Sequence, residues 1–217
     1  MATTADLISQ RSAQARDFAE SYVGEDDVLK VARAMSNEVG LTPISPGTGA
    51  TLRLLAAACS ARAVVEIGTG TGVSAMWLLG GMRPDGVLTT IDIEPEYQRM
   101  TRRILAEAGH PAGRTRLIAG RALDVFPRLA DRAYDLLFLD GDRADYATCV
   151  LAAPRLLRSG GVLAINGALA GGKVADPTAR DPQTVALREV VRTLRESEDW
   201  CPAMLPVGDG LLCAVRA

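Results

Sequence analysis

Two periods organise the hydrophobic positions of this chain. Short aliphatic runs at Val64-Val65-Glu66-Ile67, Val87–Asp92, Thr115–Ala119, Tyr134–Asp140 and Gly160–Asn166 read as strands, the first of them buried on both faces. Between them, apolar residues recur at three and four positions, the spacing that puts them on one face of a helix. Helices are predicted over 2–38, with a break at Gly24-Glu25-Asp26-Asp27, then over Ala50–Ala61 and Ser74–Leu79. Another opens at Pro95, where a missing N–H costs little, with Tyr97, Met100, Ile104 and Ala108 as its apolar stripe. A short helix over Ala122–Leu129 should be distorted near Pro127, and two more span Tyr146–Leu157 and Pro182–Glu196. The last of these offers Leu187, Val190, Val191 and Leu194 to the core. Leu41–Gly49, Met82–Gly86 and 167–182 read as turns and loops. Trp200–Ala217 reads as a hairpin around Gly208-Asp209-Gly210.

Strands that alternate with helices pair in parallel through right-handed crossovers, and a terminal hairpin adds an antiparallel edge. The expected fold class is therefore α/β, a doubly wound and mostly parallel sheet. No repeat, low-complexity tract or linker interrupts it, so residues 1–217 are expected to form one domain. Residues 1–40 form a helical extension that must pack on the domain itself or on a second subunit.

Composition narrows the function classes. The length of 217 residues permits a full-sized core, and with only 4% aromatics that core must be built from Ala, Val and Leu. A net charge of −2 argues against a general nucleic-acid binder. No leader-like or membrane-spanning apolar run is seen, so a cytoplasmic protein without a membrane partner is expected. Cys59, Cys149, Cys201 and Cys213 are widely spaced in apolar surroundings and read as buried thiols rather than zinc ligands. His110, the single histidine, falls in a loop at the opposite edge of the sheet from the strand-end carboxylates, and no catalytic role is expected of it.

The chemistry concentrates where the first strand ends. Glu66-Ile-Gly68-Thr-Gly70-Thr-Gly72 joins a strand to a helix, and its glycines let backbone approach a ligand closely. A dinucleotide loop of the form G-x-G-x-x-G would need glycine where Val73 stands. A carboxylate at Glu66 disfavours pyrophosphate and suits a cationic amine, which argues against a nicotinamide dehydrogenase. Asp92 ends the second strand 24 residues after Gly68, near the interval at which a carboxylate accepts from both ribose hydroxyls. Asp140 and Asn166 end the fourth and fifth strands, and ligands of open α/β sheets bind at this rim.

These features resemble motif I of the S-adenosylmethionine-dependent methyltransferases. The stretch Asp140-Gly-Asp-Arg-Ala-Asp-Tyr146 resembles the corresponding segment of the catechol and caffeoyl-CoA type O-methyltransferases. With Gly160-Gly161, Gly171–Pro177 and Gly208–Gly210, the likeness runs from about residue 40 to the C-terminus and is nearest to small actinobacterial-type members. The resemblance implies seven strands in the order 3-2-1-4-5-7-6 and a homodimer. It implies that Gly68, Thr69, Gly70 and Ser74 wrap the methionine part of S-adenosylmethionine, with Glu66 near its amine. It places Asp92 and Ile93 at the ribose, Arg121 and Ala122 at the adenine, and Ile44 in a segment that closes over the site. Asp140, Asp142 and Arg143 are the candidate catalytic residues.

Two departures stand out. The family holds a divalent cation, usually magnesium, with the aspartate at 140 and an Asp-Asn pair after strand five. That pair aligns with Asn166 and Gly167, so one carboxylate becomes an amide and one ligand is lost. A weak magnesium site at best is expected, and its ligands are left unassigned. The family's lysine base is Arg143 here, which keeps its proton at neutral pH, so Asp140 or Asp142 is the expected base. The sequence reading is thus an O-methyltransferase for a small hydroxylated or phenolic acceptor. The alternative is a cofactor-binding relative that has lost catalysis. A nitrogen methyltransferase ranks below both, because Leu-Asp-Gly-Asp stands where such enzymes often carry Asn/Asp-Pro-Pro-Tyr.

Overall fold

The computed structural model describes residues 4–217, with side chains from residue 10 onward. The first three helices are α1 (Thr4–Ser21), α2 (Asp27–Glu38) and α3 (Pro46–Ala58). Then β1 (Ala63–Ile67), α4 (Val73–Gly81), β2 (Val87–Asp92), α5 (Pro95–Glu107) and β3 (Thr115–Ala119) follow. A one-turn helix α6 (Ala122–Val125) runs into a 3-10 turn at Phe126–Arg128, the distortion expected at Pro127. The rest is β4 (Tyr134–Leu139), α7 (Tyr146–Leu156), β5 (Leu157–Ile165), α8 (Pro182–Glu196), β6 (Trp200–Leu205) and β7 (Leu211–Arg216). The seven strands form one sheet in the order β3-β2-β1-β4-β5-β7-β6, as the resemblance implied. The first five pair in parallel, and β7 is antiparallel to both β5 and β6.

Each face of the sheet carries its own apolar layer, because successive residues of a strand point to opposite sides. Val64, Leu88, Leu136, Phe138 and Val162 pack with α2, α3, α4 and α5. Val65, Ile91, Leu137, Leu163 and Leu212 pack with α6, α7 and α8. Pro202 can sit in β6 because that strand is at the edge, where one side needs no ladder bonds.

Several boundaries differ from the pattern reading. Helix α3 starts at Pro46 rather than Ala50, since the Ser45 hydroxyl caps it by accepting from Thr48 N at 3.1 Å. Its glycines looked like loop residues, but Gly49 makes room for a neighbour: a Cβ there would lie 2.3 Å from the Trp77 ring on α4. Strand β5 begins at Leu157, three residues early, because Leu157 pairs with Tyr134 across an irregularity in the ladder.

The buried face of α5 is Gln98, Thr101, Ile104 and Leu105; of the predicted stripe, Ile104 lies on it, Ala108 packs partly buried against the core, and Tyr97 and Met100 fall at its margin. Polar groups mask that face in sequence, and their donors find acceptors inside, while Gln98 Oε1 is left without a partner. Gln98 Nε2 donates to Thr69 Oγ1 at 2.9 Å, and Thr101 Oγ1 donates to the Gly70 carbonyl at 3.0 Å. Cys149 and Cys213 are buried as expected, but Cys59 is half-buried and Cys201 is exposed. Cys201 points outward because it alternates along an edge strand whose inward position is Trp200.

Candidate functional site

The carboxyl ends of β1, β2 and β4 meet at a cavity of about 410 Å³. Its wall carries Gly68, Thr69, Gly70 and Ser74 from the glycine loop, Asp92 and Ile93 after β2, and Arg121 and Ala122 after β3. Ile44 and Leu41 close it from the segment before α3, and Asp140 and Asp142 close it from after β4. The loop can pass so close to β4 only as glycine: a Cβ on Gly68 (φ +93°) would lie 2.4 Å from the Asp140 carbonyl oxygen.

Asp92 is aimed by two backbone amides. Its Oδ2 accepts from Gly70 N and its Oδ1 from Glu94 N, both at 3.0 Å. The glycine loop and the strand-end carboxylate thus hold each other in place, leaving carboxylate lone pairs free towards the cavity. Ile93 is 61% exposed beside it, an apolar surface offered to the cavity rather than to the core.

Glu66 is not on the rim. It lies beneath the cavity floor with no exposed surface, because it alternates into the sheet opposite Thr90 of β2. Its Oε2 accepts from Thr90 Oγ1 at 2.6 Å, Thr69 and Thr90 hydroxyls are 2.6 Å apart, and Gln98 donates to Thr69. This buried chain was not legible in the sequence, since threonines in strands are ordinary. Glu66 Oε1 has no hydrogen-bond partner. Burial raises the Glu66 pKa to about 8, against the opposing effect of the Ser74 and Thr90 hydroxyls. At neutral pH the side chain is mainly a neutral acid, so the charged grip that the motif suggested is absent from the free protein.

A second cavity of about 410 Å³ adjoins the first and shares Thr42, Pro43, Ile44, Asp140 and Gly141 with it. Ser45, Arg143, Tyr146, Asn166, Gly167, Gly208 and Asp209 complete its lining. Asp140 thus stands between the two. Its Oδ1 accepts from Asn166 Nδ2 at 2.7 Å, and burial pushes its pKa up to about 7 while Asn166 and Arg143 pull it down. Asp142 instead caps the following turn by accepting from Ala144 N at 2.9 Å, and it faces only the first cavity. Arg143 reaches across to Asp209, with Nη2 3.3 Å from Oδ2. Asp209 was read only as a hairpin residue. Its Oδ1 also accepts from Gly171 N at 2.6 Å, so it ties the 167–182 loop to the hairpin turn.

The metal arrangement of the resembled family does not fit these residues. Asp140 offers one carboxylate, Asn166 a neutral amide already hydrogen-bonded to it, and Gly167 no side chain, a donor set short of the hard oxygens magnesium takes. Among the described residues, no three Asp, Glu, His or Cys side chains converge as ligands.

The helices before the sheet are part of the site's frame. Arg33 of α2 grips Glu25 through Nε at 2.8 Å and Nη2 at 2.5 Å, while its Nη1 donates to the Ile44 carbonyl at 2.7 Å. Ser36 and Thr71 hydroxyls are 2.6 Å apart, and Thr71 donates to the Ala32 carbonyl at 2.8 Å, which fastens α2 to the glycine loop. At the end of α1, Glu20 accepts from Gly47 N at 3.0 Å and from Gly208 N at 2.5 Å. His110 lies after α5, away from both cavities, as the pattern implied.

Comparison with known proteins agrees with this geometry. A family model described as O-methyltransferase matches residues 20–217. A probable O-methyltransferase of Mycobacterium tuberculosis strain H37Rv is 51% identical over 198 residues, covering 91% of this chain and 88% of the relative. A Corynebacterium glutamicum crystal structure superposes with a TM-score of 0.88 at 34% identity, covering 95% of this chain and 97% of that one. The O-methyltransferase TomG of Streptomyces achromogenes, involved in tomaymycin synthesis and solved with S-adenosylmethionine, gives 0.83 at 31% identity, covering 92% and 94%. The fold, the two cavities at the strand ends and the match over nearly the whole chain lead to one conclusion: this protein belongs to the O-methyltransferase family.

Proposed function

We propose that the chain moves the methyl group of S-adenosylmethionine to a hydroxyl oxygen of a small hydroxylated or phenolic acceptor. The observation that carries this reading is the placement of Asp140 between two cavities of similar size. The first takes the cofactor. Asp92, held by Gly70 and Glu94 amides, accepts from the ribose hydroxyls. Ile93, Arg121 and Ala122 bound the adenine, and the amine lies over Ser74 and Gly68, above Glu66. The sulfonium methyl then faces Asp140 and the second cavity, where the acceptor sits under Thr42–Ser45 and the 167–182 loop.

The acceptor hydroxyl gives its proton to Asp140 as its oxygen attacks the methyl carbon in line. The new O–C bond forms as the S–C bond breaks, leaving S-adenosylhomocysteine, and the proton passes from Asp140 to solvent. Most of the acceleration comes from holding the two reactants in line, since the cofactor supplies the leaving group. No step runs through a metal, because the donor set described above does not suit one. The chain folds as one domain in this reading, with α1 and α2 bracing the site. A second copy packs on α1, where Phe18 and Tyr22 are 69% and 76% exposed.

Calorimetric titration with S-adenosylmethionine tests the proposal. Binding in the micromolar range supports it, and no heat at millimolar ligand removes it. Turnover across catechols and hydroxycinnamates then separates an active transferase from a relative that only binds the cofactor.

A further inference from the structure

Gly167 and Arg143 compete for one volume. A Cβ built on Gly167 would lie 2.5 Å from Arg143 Nη2 and 3.3 Å from its Cζ. A side chain at 167 and the present guanidinium position are therefore mutually exclusive. Gly167 has φ +66°, a left-handed conformation that asparagine also tolerates, so the backbone itself does not require glycine. What the glycine provides is space, and the Arg143 guanidinium fills it.

The guanidinium is fixed there by Asp209, whose other oxygen is held by Gly171 N at 2.6 Å. It is one-third exposed, lines the second cavity, and its charge acts on Asp140. Three neighbouring positions thus change together in a consistent sense. Asn166 presents an N–H group to Asp140, Gly167 withdraws a side chain, and Arg143 advances a permanent positive charge into the vacated place.

We propose that Arg143 is this chain's own replacement for a divalent cation: a tethered guanidinium that stands at the acceptor cavity and takes the acceptor oxygen on its N–H groups. Its planar, delocalised charge suits an anionic oxygen and, unlike a bound ion, cannot be stripped by a chelator. The proposal rests on the O-methyl transfer reading, but its test does not need an acceptor.

The test is Mn(II) binding, read by electron paramagnetic resonance on the full chain saturated with S-adenosylhomocysteine. Saturation is checked first by calorimetry, and failure there sinks the transferase reading rather than this inference. The wild-type chain is expected to leave Mn(II) free at 1 mM. The triple variant Arg143→Lys/Asn166→Asp/Gly167→Asn is expected to bind it at least tenfold more tightly. Submillimolar Mn(II) binding by the wild type overturns the proposal, a measurement that stands even if the variant fails to fold. A folded triple variant that binds no more Mn(II) than the wild type overturns it as well, because removing the guanidinium would then have opened no cation site.

Discussion

Asp92 and Glu66 show how differently two strand-end carboxyls can behave. Asp92 is half-exposed and prealigned by two amides, so a ribose bound as proposed would gain its hydrogen bonds at little ordering cost. Asp92→Ala should weaken S-adenosylmethionine binding by about 10- to 100-fold, the effect of losing hydrogen bonds to a charged group, and calorimetry would read it directly. Glu66 is a neutral acid at pH 7, with one oxygen unpartnered beneath the floor. An ammonium group arriving above it lowers that pKa, so cofactor binding near pH 7 should release close to one proton. Titrations in buffers of different ionisation enthalpy measure the release, and Glu66→Gln should abolish it. A binding heat independent of buffer in the wild type would place the amine elsewhere.

The element scale explains why helices outside the sheet matter to the site. Arg33 of α2, paired with Glu25 just before that helix, holds the Ile44 carbonyl, and Ile44 borders both cavities. Arg33→Ala removes a largely desolvated bidentate pair, so it should raise KM for the cofactor several-fold with a smaller effect on kcat. Steady-state kinetics with saturating acceptor distinguishes this from general destabilisation, which lowers the active fraction and leaves KM alone. Phe18 of α1 and Tyr22 just after its end form an exposed aromatic pair, ring centroids 6.1 Å apart. Phe18→Ser/Tyr22→Ser should convert a dimer to a monomer in light scattering, and a monomeric wild type would remove the expectation.

For the molecule as a whole, buried Glu66 and part-buried Asp140 set the pH dependence of stability. The folded-state values of Glu66 and Asp140, about 8 and about 7, lie above those of the unfolded chain. The folded state therefore binds more protons, and the stability they contribute is present below pH 4 and is lost as pH rises to about 8. Glu20 and Asp135 act oppositely. Hydrogen bonds from Gly208, Ser45 and Gly47 hold Glu20 below its ordinary value, and amides of Ala63 and Arg62 with Arg158 do so for Asp135, despite burial. Their contribution is present above their ordinary carboxylate values and is lost only as pH falls below about 4. The melting temperature of the ligand-free protein should thus peak on the mildly acidic side and decline between pH 6 and 8.5, as calorimetric scans would show.

The sheet was legible because aliphatic runs and glycine turns carry their own spacing. The terminal hairpin was legible in Gly208-Asp209-Gly210, and the strand order followed from the family likeness. What stayed hidden was polar burial, such as Gln98 and Thr101 turned inward on α5, and the long-range partnership of Arg143 with Asp209. Sequence spacing reports which face a residue takes only when its polarity matches its surroundings, and it says nothing of partners 66 positions away.

Thr42–Ile44, Asp140 and Gly141 line both cavities. A single molecule that joins an adenosyl group to a phenolic ring through a short tether could occupy both chambers at once. Its second half would bind at the high local concentration set by the tether, so its affinity should exceed that of either half by about 100-fold or more. Inhibitor design for this chain therefore starts at that shared lining rather than at either chamber alone.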